Sequence, residues 1–117
     1  MGLFDRIRPA AVRAAASERG RRTEEARAVR HHLREFVRTR AGVEAYIEPA
    51  TAVLPPTVVL VAASGEWTRR RVIDDALVRD LGIPVYDARL VGYPGRMREW
   101  NASVRRGEQE RGRIDPS

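Results

Sequence analysis

The sequence predicts an α+β domain: a three- to four-stranded, mainly antiparallel sheet with a long N-terminal helix, a short helix and a C-terminal helix. Three observations lead there. Apolar side chains recur at helical spacing after Thr23, Val43 to Glu48 alternates apolar and polar, and Thr57 to Ala63 is apolar on both faces before a turn and a second extended run. With 117 residues and 43% hydrophobic side chains there is material for one core, whereas two half-sized domains would bury too little surface without disulfides or metals.

The elements follow in order. Residues 1–22 form a basic arm, flexible or weakly helical, in which Leu3, Ile7, Ala10 and Ala14 keep a helical stripe that Pro9 and Gly20 interrupt. From Thr23, placed to cap a helix, Ala26, Val29, Leu33, Phe36 and Val37 make one face, and Gly42 can close the helix. Val43, Ala45 and Ile47 alternate with Glu44, Tyr46 and Glu48 in a strand that Pro49 ends. Thr57 to Ala63 reads as a central strand, paired through Ser64-Gly65-Glu66 with Trp67 to Ile73. Asp74 can cap a short helix that Gly82 terminates, Val85 to Val91 reads as a strand with Asp87 on its polar side, and Met97, Trp100 and Val104 mark the inner face of the last helix. The domain therefore spans residues 23–106, with helices on one side of the sheet, and 107–117 form a disordered tail; a three-layer arrangement around the central strand is the alternative.

Composition closes several mechanisms. All 22 basic residues are arginine, so Schiff-base chemistry and a phosphate-loop lysine are absent, and the lack of cysteine removes disulfides, thiolate catalysis and cysteine-ligated metals. The all-arginine usage reflects a G+C-rich coding bias as much as selection for guanidinium chemistry. No apolar run is long enough to span a bilayer and no secretory signal pattern opens the chain, so the expected location is the cytoplasm. The net charge of +6 favours anionic partners. Its distribution is uneven, since residues 43–66 carry Glu44, Glu48 and Glu66 against no arginine.

Candidate sites are correspondingly few. His31 and His32 are adjacent, so on a helix they diverge and cannot chelate one metal; neither a metal nor a cofactor is expected. The strand Trp67-Thr68-Arg69-Arg70-Arg71 sends Trp67, Arg69 and Arg71 to one face, where two guanidinium groups beside an indole could hold phosphates and stack on an unpaired base. The alternative is that these arginines neutralise Glu44 and Glu48 on the neighbouring strands, which the acidic balance of residues 43–66 favours. Arg30, Arg34 and Arg38 on the first helix and Arg105 and Arg106 on the last complete the anion-binding candidates.

The order helix, three strands, helix, strand resembles the core topology of the restriction-endonuclease-like nucleases. That likeness implies an aspartate near the start of the second strand and an acidic-x-lysine element on the third; here those places hold Pro56-Thr57 and Glu66-Trp67-Thr68. The segment from Gly65-Glu66-Trp67-Thr68 through Ile83-Pro84-Val85-Tyr86-Asp87 to Gly92-Tyr93-Pro94 and Arg96-Met97-Arg98-Glu99-Trp100-Asn101 resembles small actinobacterial proteins without an assigned reaction. The expectation is a non-enzymatic binding or accessory protein for DNA, RNA or a nucleoprotein. The alternatives are a protein-interaction or self-association module docking through residues 1–40 and, third, a metal-dependent nuclease or hydrolase using the carboxylates.

Overall fold

The computed structural model describes residues 10–72 and 75–114, with side chains for 17–72 and 75–112. The apolar start at Met1 to Phe4, the cap expected at Asp74 and residues 115–117 lie outside the described residues.

Helix α1 spans Ala10–Thr39 and is followed by β1 (Glu44–Glu48), β2 (Thr57–Val61) and β3 (Trp67–Arg71). A short α2 (Ala76–Arg79) leads to β4 (Val85–Asp87), a single-turn α3 (Ala88–Val91) and α4 (Gly95–Ile114). The sheet order is β3-β2-β1-β4. The β1-β2 and β2-β3 pairs are antiparallel, but β4 lies parallel to β1, so the sheet is mixed. Parallel pairing requires a crossover, which residues 75–84 supply with α2 packed on the sheet. The backbone N–H of Ala45 meets the carbonyl of Pro84 at 2.9 Å and holds the incoming strand beside β1.

Alternation along the strands builds two cores. On one face, Ala45, Ile47, Val58, Leu60, Ala62 and Val72 pack with Leu33 and Phe36 of α1 and Leu77 and Val78 of α2. On the other, Tyr46, Val59 and Val61 meet Ala88, Tyr93 and Met97. The expectation that α1 and the last helix share one sheet face is therefore corrected to three layers. The glutamates of β1 suggested a wet face because alternation reports polarity, whereas here each carboxylate is met by a tyrosine or arginine from the covering elements.

Several boundaries differ from those the sequence predicts. Helix α1 runs straight through Gly20 and Thr23; Thr23 donates its hydroxyl to the Arg19 carbonyl at 2.9 Å instead of capping a start. The surrounding alanine, arginine and glutamate carry the helix past one glycine, whose cost is only about 1 kcal/mol. The same holds for α4, which continues beyond Gly107 to Ile114 in place of the expected tail. The strand expected from Val85 to Val91 stops at Asp87, whose carboxylate accepts the Arg89 backbone N–H at 2.8 Å and starts α3 as its N-cap. Asp75 makes no side-chain cap to α2 and pairs with Arg79 at 3.2 Å.

Two contacts fix the helices to the hairpin. Arg40 forks onto both Glu66 oxygens at 2.8 and 2.9 Å and lies 4.3 Å above the Phe36 ring, tying the end of α1 to the β2-β3 turn. Gly65, in that turn at φ +92°, lets the first turn of α4 sit against the backbone: a Cβ there would meet the Arg96 carbonyl oxygen at 2.1 Å. Among the described residues no helix is long and apolar enough to cross a membrane.

Candidate functional site

The face of β3 singled out from the sequence is the sheet's second face. Cross-strand register places Glu44, Val61 and Trp67 in one row and Glu48, Thr57 and Arg71 in another, with Arg69 between them beside Val59. Helix α4 covers the first row. Trp67 donates its indole N–H to Asn101 at 2.9 Å and, with Trp100, Val104 and Arg105, borders an open groove. Arg96 enters from the start of α4, donating to Glu44 at 2.6 Å and to the Ala62 carbonyl at 2.9 Å.

Charge balance within the sheet thus takes a different form from the expected one. Arg69 does pair with Glu48, at 2.6 Å, but Glu44 is taken by Arg96, because the Glu44 row ends on Trp67 and no strand arginine stands opposite it. The second oxygen of Glu48 accepts the Tyr93 hydroxyl. That hydrogen bond first, and then Arg69, holds the Glu48 carboxyl below its ordinary value. Burial, reinforced by the same carboxylate, pushes the Tyr93 phenol up to about 12. Tyr46 lies between the two glutamates, with ring centroids 5.4 Å from Tyr86 and 5.9 Å from Tyr93. The sequence does not announce this tyrosine ring system, since three phenols scattered along 48 residues share a face only after β1 and β4 pair in register.

The second row stays open. Arg71 has no ion pair or side-chain hydrogen bond among the described residues, while Arg70 spends one guanidinium nitrogen on the Arg69 carbonyl at 2.7 Å. A cleft of about 730 Å³ lies here, bounded by Thr57, the three consecutive β3 arginines, Arg89 of α3 and the loop of residues 49–55, with Glu48 as its one carboxylate among the described residues. Arg89 bridges to Asp87 at 3.2 Å. β3 is an edge strand, and its arginines also discourage pairing with another chain.

The helix candidates separate in the same way. Arg38 is tied to Glu35 at 2.7 Å, whereas Arg30 and Arg34 are exposed and have no ion pair among the described residues. Arg27, an ordinary polar position in the sequence pattern, completes the stripe: positions 27, 30 and 34 follow i, i+3, i+7 spacing on the outer face of α1. Arg105 and Arg106 are exposed on α4, on the other side of the sheet from α1.

His31 is exposed, and His32 shares a 2.7 Å hydrogen bond with Thr68. Burial, followed by Arg70, Arg40 and His31, lowers the His32 pKa. At the two places where the nuclease topology implies acids, Thr57 borders the basic cleft and Glu66 is bound by Arg40. Among the described residues no three histidine or carboxylate side chains gather as a metal-binding group. No family model matches the chain, and no curated protein or solved structure is similar to it.

Proposed function

We propose that this is a non-enzymatic cytoplasmic binding or accessory protein for an anionic polymer, DNA or RNA, that it holds through the outer face of α1. The supporting observation is the stripe Arg27, Arg30 and Arg34, exposed and free of ion pairs among the described residues, on a helix anchored to the core by Leu33 and Phe36. Guanidinium groups at this spacing run along the helix and contact successive phosphates without reading bases. Arg69, the centre of the strand platform considered from the sequence, is held by Glu48 and contributes less.

Fluorescence anisotropy with labelled DNA and RNA oligonucleotides at low salt tests this reading. Affinity should fall linearly on a log-log scale with salt, and the triple Arg27→Gln, Arg30→Gln, Arg34→Gln variant should flatten the slope by roughly 0.9 for each phosphate it no longer neutralises. No association at low salt, or a slope that the triple variant leaves unchanged, rejects it.

One observation favours a second reading, docking on a protein partner or another copy through residues 1–40. Side chains 17–25 of α1 are all exposed, so this stretch of helix has no packed face of its own. Deleting residues 1–22 separates the two readings, because docking should collapse while the stripe starting at Arg27 still binds polyanion.

A further inference from the structure

We infer that the cleft beside β3 is a second, separate binding site, and that its ligand is a terminal phosphoryl group, a phosphate monoester taken up as the dianion. The charge of the site selects this chemistry. Among the described residues Arg69, Arg70, Arg71 and Arg89 line it and the carboxylates in contact with them are Glu48 and Asp87, so these side chains leave two uncompensated positive charges. A dianion cancels that excess. A carboxylate or an internal phosphodiester, each with one charge, leaves half of it.

Geometry assigns the roles. Glu48 is saturated by Arg69 and Tyr93, so it stands as an anchored wall and not as a competitor for the ligand. Arg71 has its whole guanidinium fork uncommitted among the described residues and is the principal ligand, able to donate two parallel hydrogen bonds to phosphoryl oxygens. Thr57 stands between Glu48 and Arg71 in the cross-strand row and brings a hydroxyl to the floor. Thr51, on the loop wall, accepts the backbone N–H groups of Val53 and Leu54 at 3.2 and 2.9 Å, which leaves its hydroxyl proton to donate elsewhere. Pro49 and Pro55 border the cleft from the same loop and restrict it, so donors are presented on a wall of limited freedom. A concave site of this kind suits a single group on the end of a molecule, whereas the convex stripe on α1 suits a continuous backbone.

Two sources could supply such a group: the 5′ end of a nucleic acid or a small phosphorylated molecule. Phenyl phosphate titrated into the protein at low salt and followed by 31P NMR probes the shared chemistry, with benzoate as the singly charged control. Phenyl phosphate should bind and benzoate should not, and Arg71→Ala should weaken phenyl phosphate binding by about tenfold. Arg89→Gln gives a second variant with a smaller loss, and urea unfolding of each checks that the fold is retained. Anisotropy with 5′-phosphorylated and 5′-hydroxyl oligonucleotides then separates the sources. A preference for the phosphorylated end, lost in Arg71→Ala, assigns the site to a nucleic-acid terminus. Phenyl phosphate binding without that preference assigns it to a small phosphorylated ligand. If phenyl phosphate fails to bind, or binds equally well to folded Arg71→Ala, the site does not exist. Because the α1 stripe lies on the opposite face, the triple Arg27, Arg30, Arg34 variant must leave phenyl phosphate binding intact, so failure here and failure of the polymer reading are told apart.

Discussion

Replacing Gly65 by alanine should unseat α4 from the sheet. Gly65 has φ +92°, and the added Cβ would lie 2.1 Å from the Arg96 carbonyl oxygen and 3.1 Å from the Trp100 Cβ. The left-handed backbone alone costs roughly 1–2 kcal/mol for an L-residue. Relief of the overlap requires the first turn of α4 to withdraw by more than about 1 Å, since ordinary contacts begin near 3.4 Å. Withdrawal strips Met97 from Tyr46, Val59 and Val61 and breaks the Arg96 hydrogen bonds to Glu44 and Ala62. That loss resembles truncation of one buried long side chain, about 3 kcal/mol.

Gly82 supplies the control. It has φ +70°, but its added Cβ would meet nothing within 4 Å, so Gly82→Ala should incur the backbone cost alone. With a urea dependence of about 1.5 kcal/mol per molar, the two variants should differ by about 2 M in unfolding midpoint. Tryptophan emission is a suitable signal, because Trp100 lies on α4 and Trp67 is hydrogen-bonded to Asn101 of the same helix. Equal midpoints for the two variants would refute the claim that the helix is seated directly on the turn.

Three further predictions concern titration. The Tyr93 phenol, raised to about 12, contributes stability that is complete below the unfolded value near 10 and lost as pH climbs from about 10 towards 12. All three phenols are raised, Tyr46 by burial and Tyr86 by its hydrogen bond with Glu44, so an absorbance titration should show phenol still un-ionised at about pH 11, and Tyr93→Phe should reduce the amplitude of the late phase by one phenol. The same variant deprives the lowered Glu48 carboxyl of its main hydrogen bond, so the stability that wild type loses as pH falls below the ordinary carboxylate range should decline less steeply. His32, with its pKa lowered by burial, stabilises the fold in its neutral form; that contribution is full above about 6.5 and is lost as pH falls through the lower folded value. Denaturation at about pH 7.5 and pH 5 should show a smaller difference for His32→Gln than for wild type, and an unchanged difference would exclude His32 as the source.

Much of the fold was legible because it rests on local patterns. The apolar stripe Val29, Leu33 and Phe36 marks a helix face wherever that helix packs, and the hairpin follows from two extended runs around Ser64-Gly65-Glu66. Helix ends were less legible. Thr23, Gly20 and Gly107 are ordinary stop or start signals, yet good helix formers on either side outweigh them. Asp87 carried the right signal for a helix start, but alternation from Val85 pointed to a strand, and only the short pairing of β4 with β1 decided between them.

The candidate site was legible as residue types and illegible as an arrangement. Alternation alone determines that Trp67, Arg69 and Arg71 share a face, that Arg30 and Arg34 point away from the core, and that no lysine or cysteine chemistry is open to this chain. Which arginine meets which carboxylate depends on contacts between residues 21 and 52 positions apart, as in Arg69 with Glu48 and Arg96 with Glu44. No spacing rule reaches that far. The parallel placement of β4, the covering of the second face by α4 and the open row around Arg71 all follow from how the layers pack. Packing is decided by the total surface that the chain can bury, and not by any one segment of it.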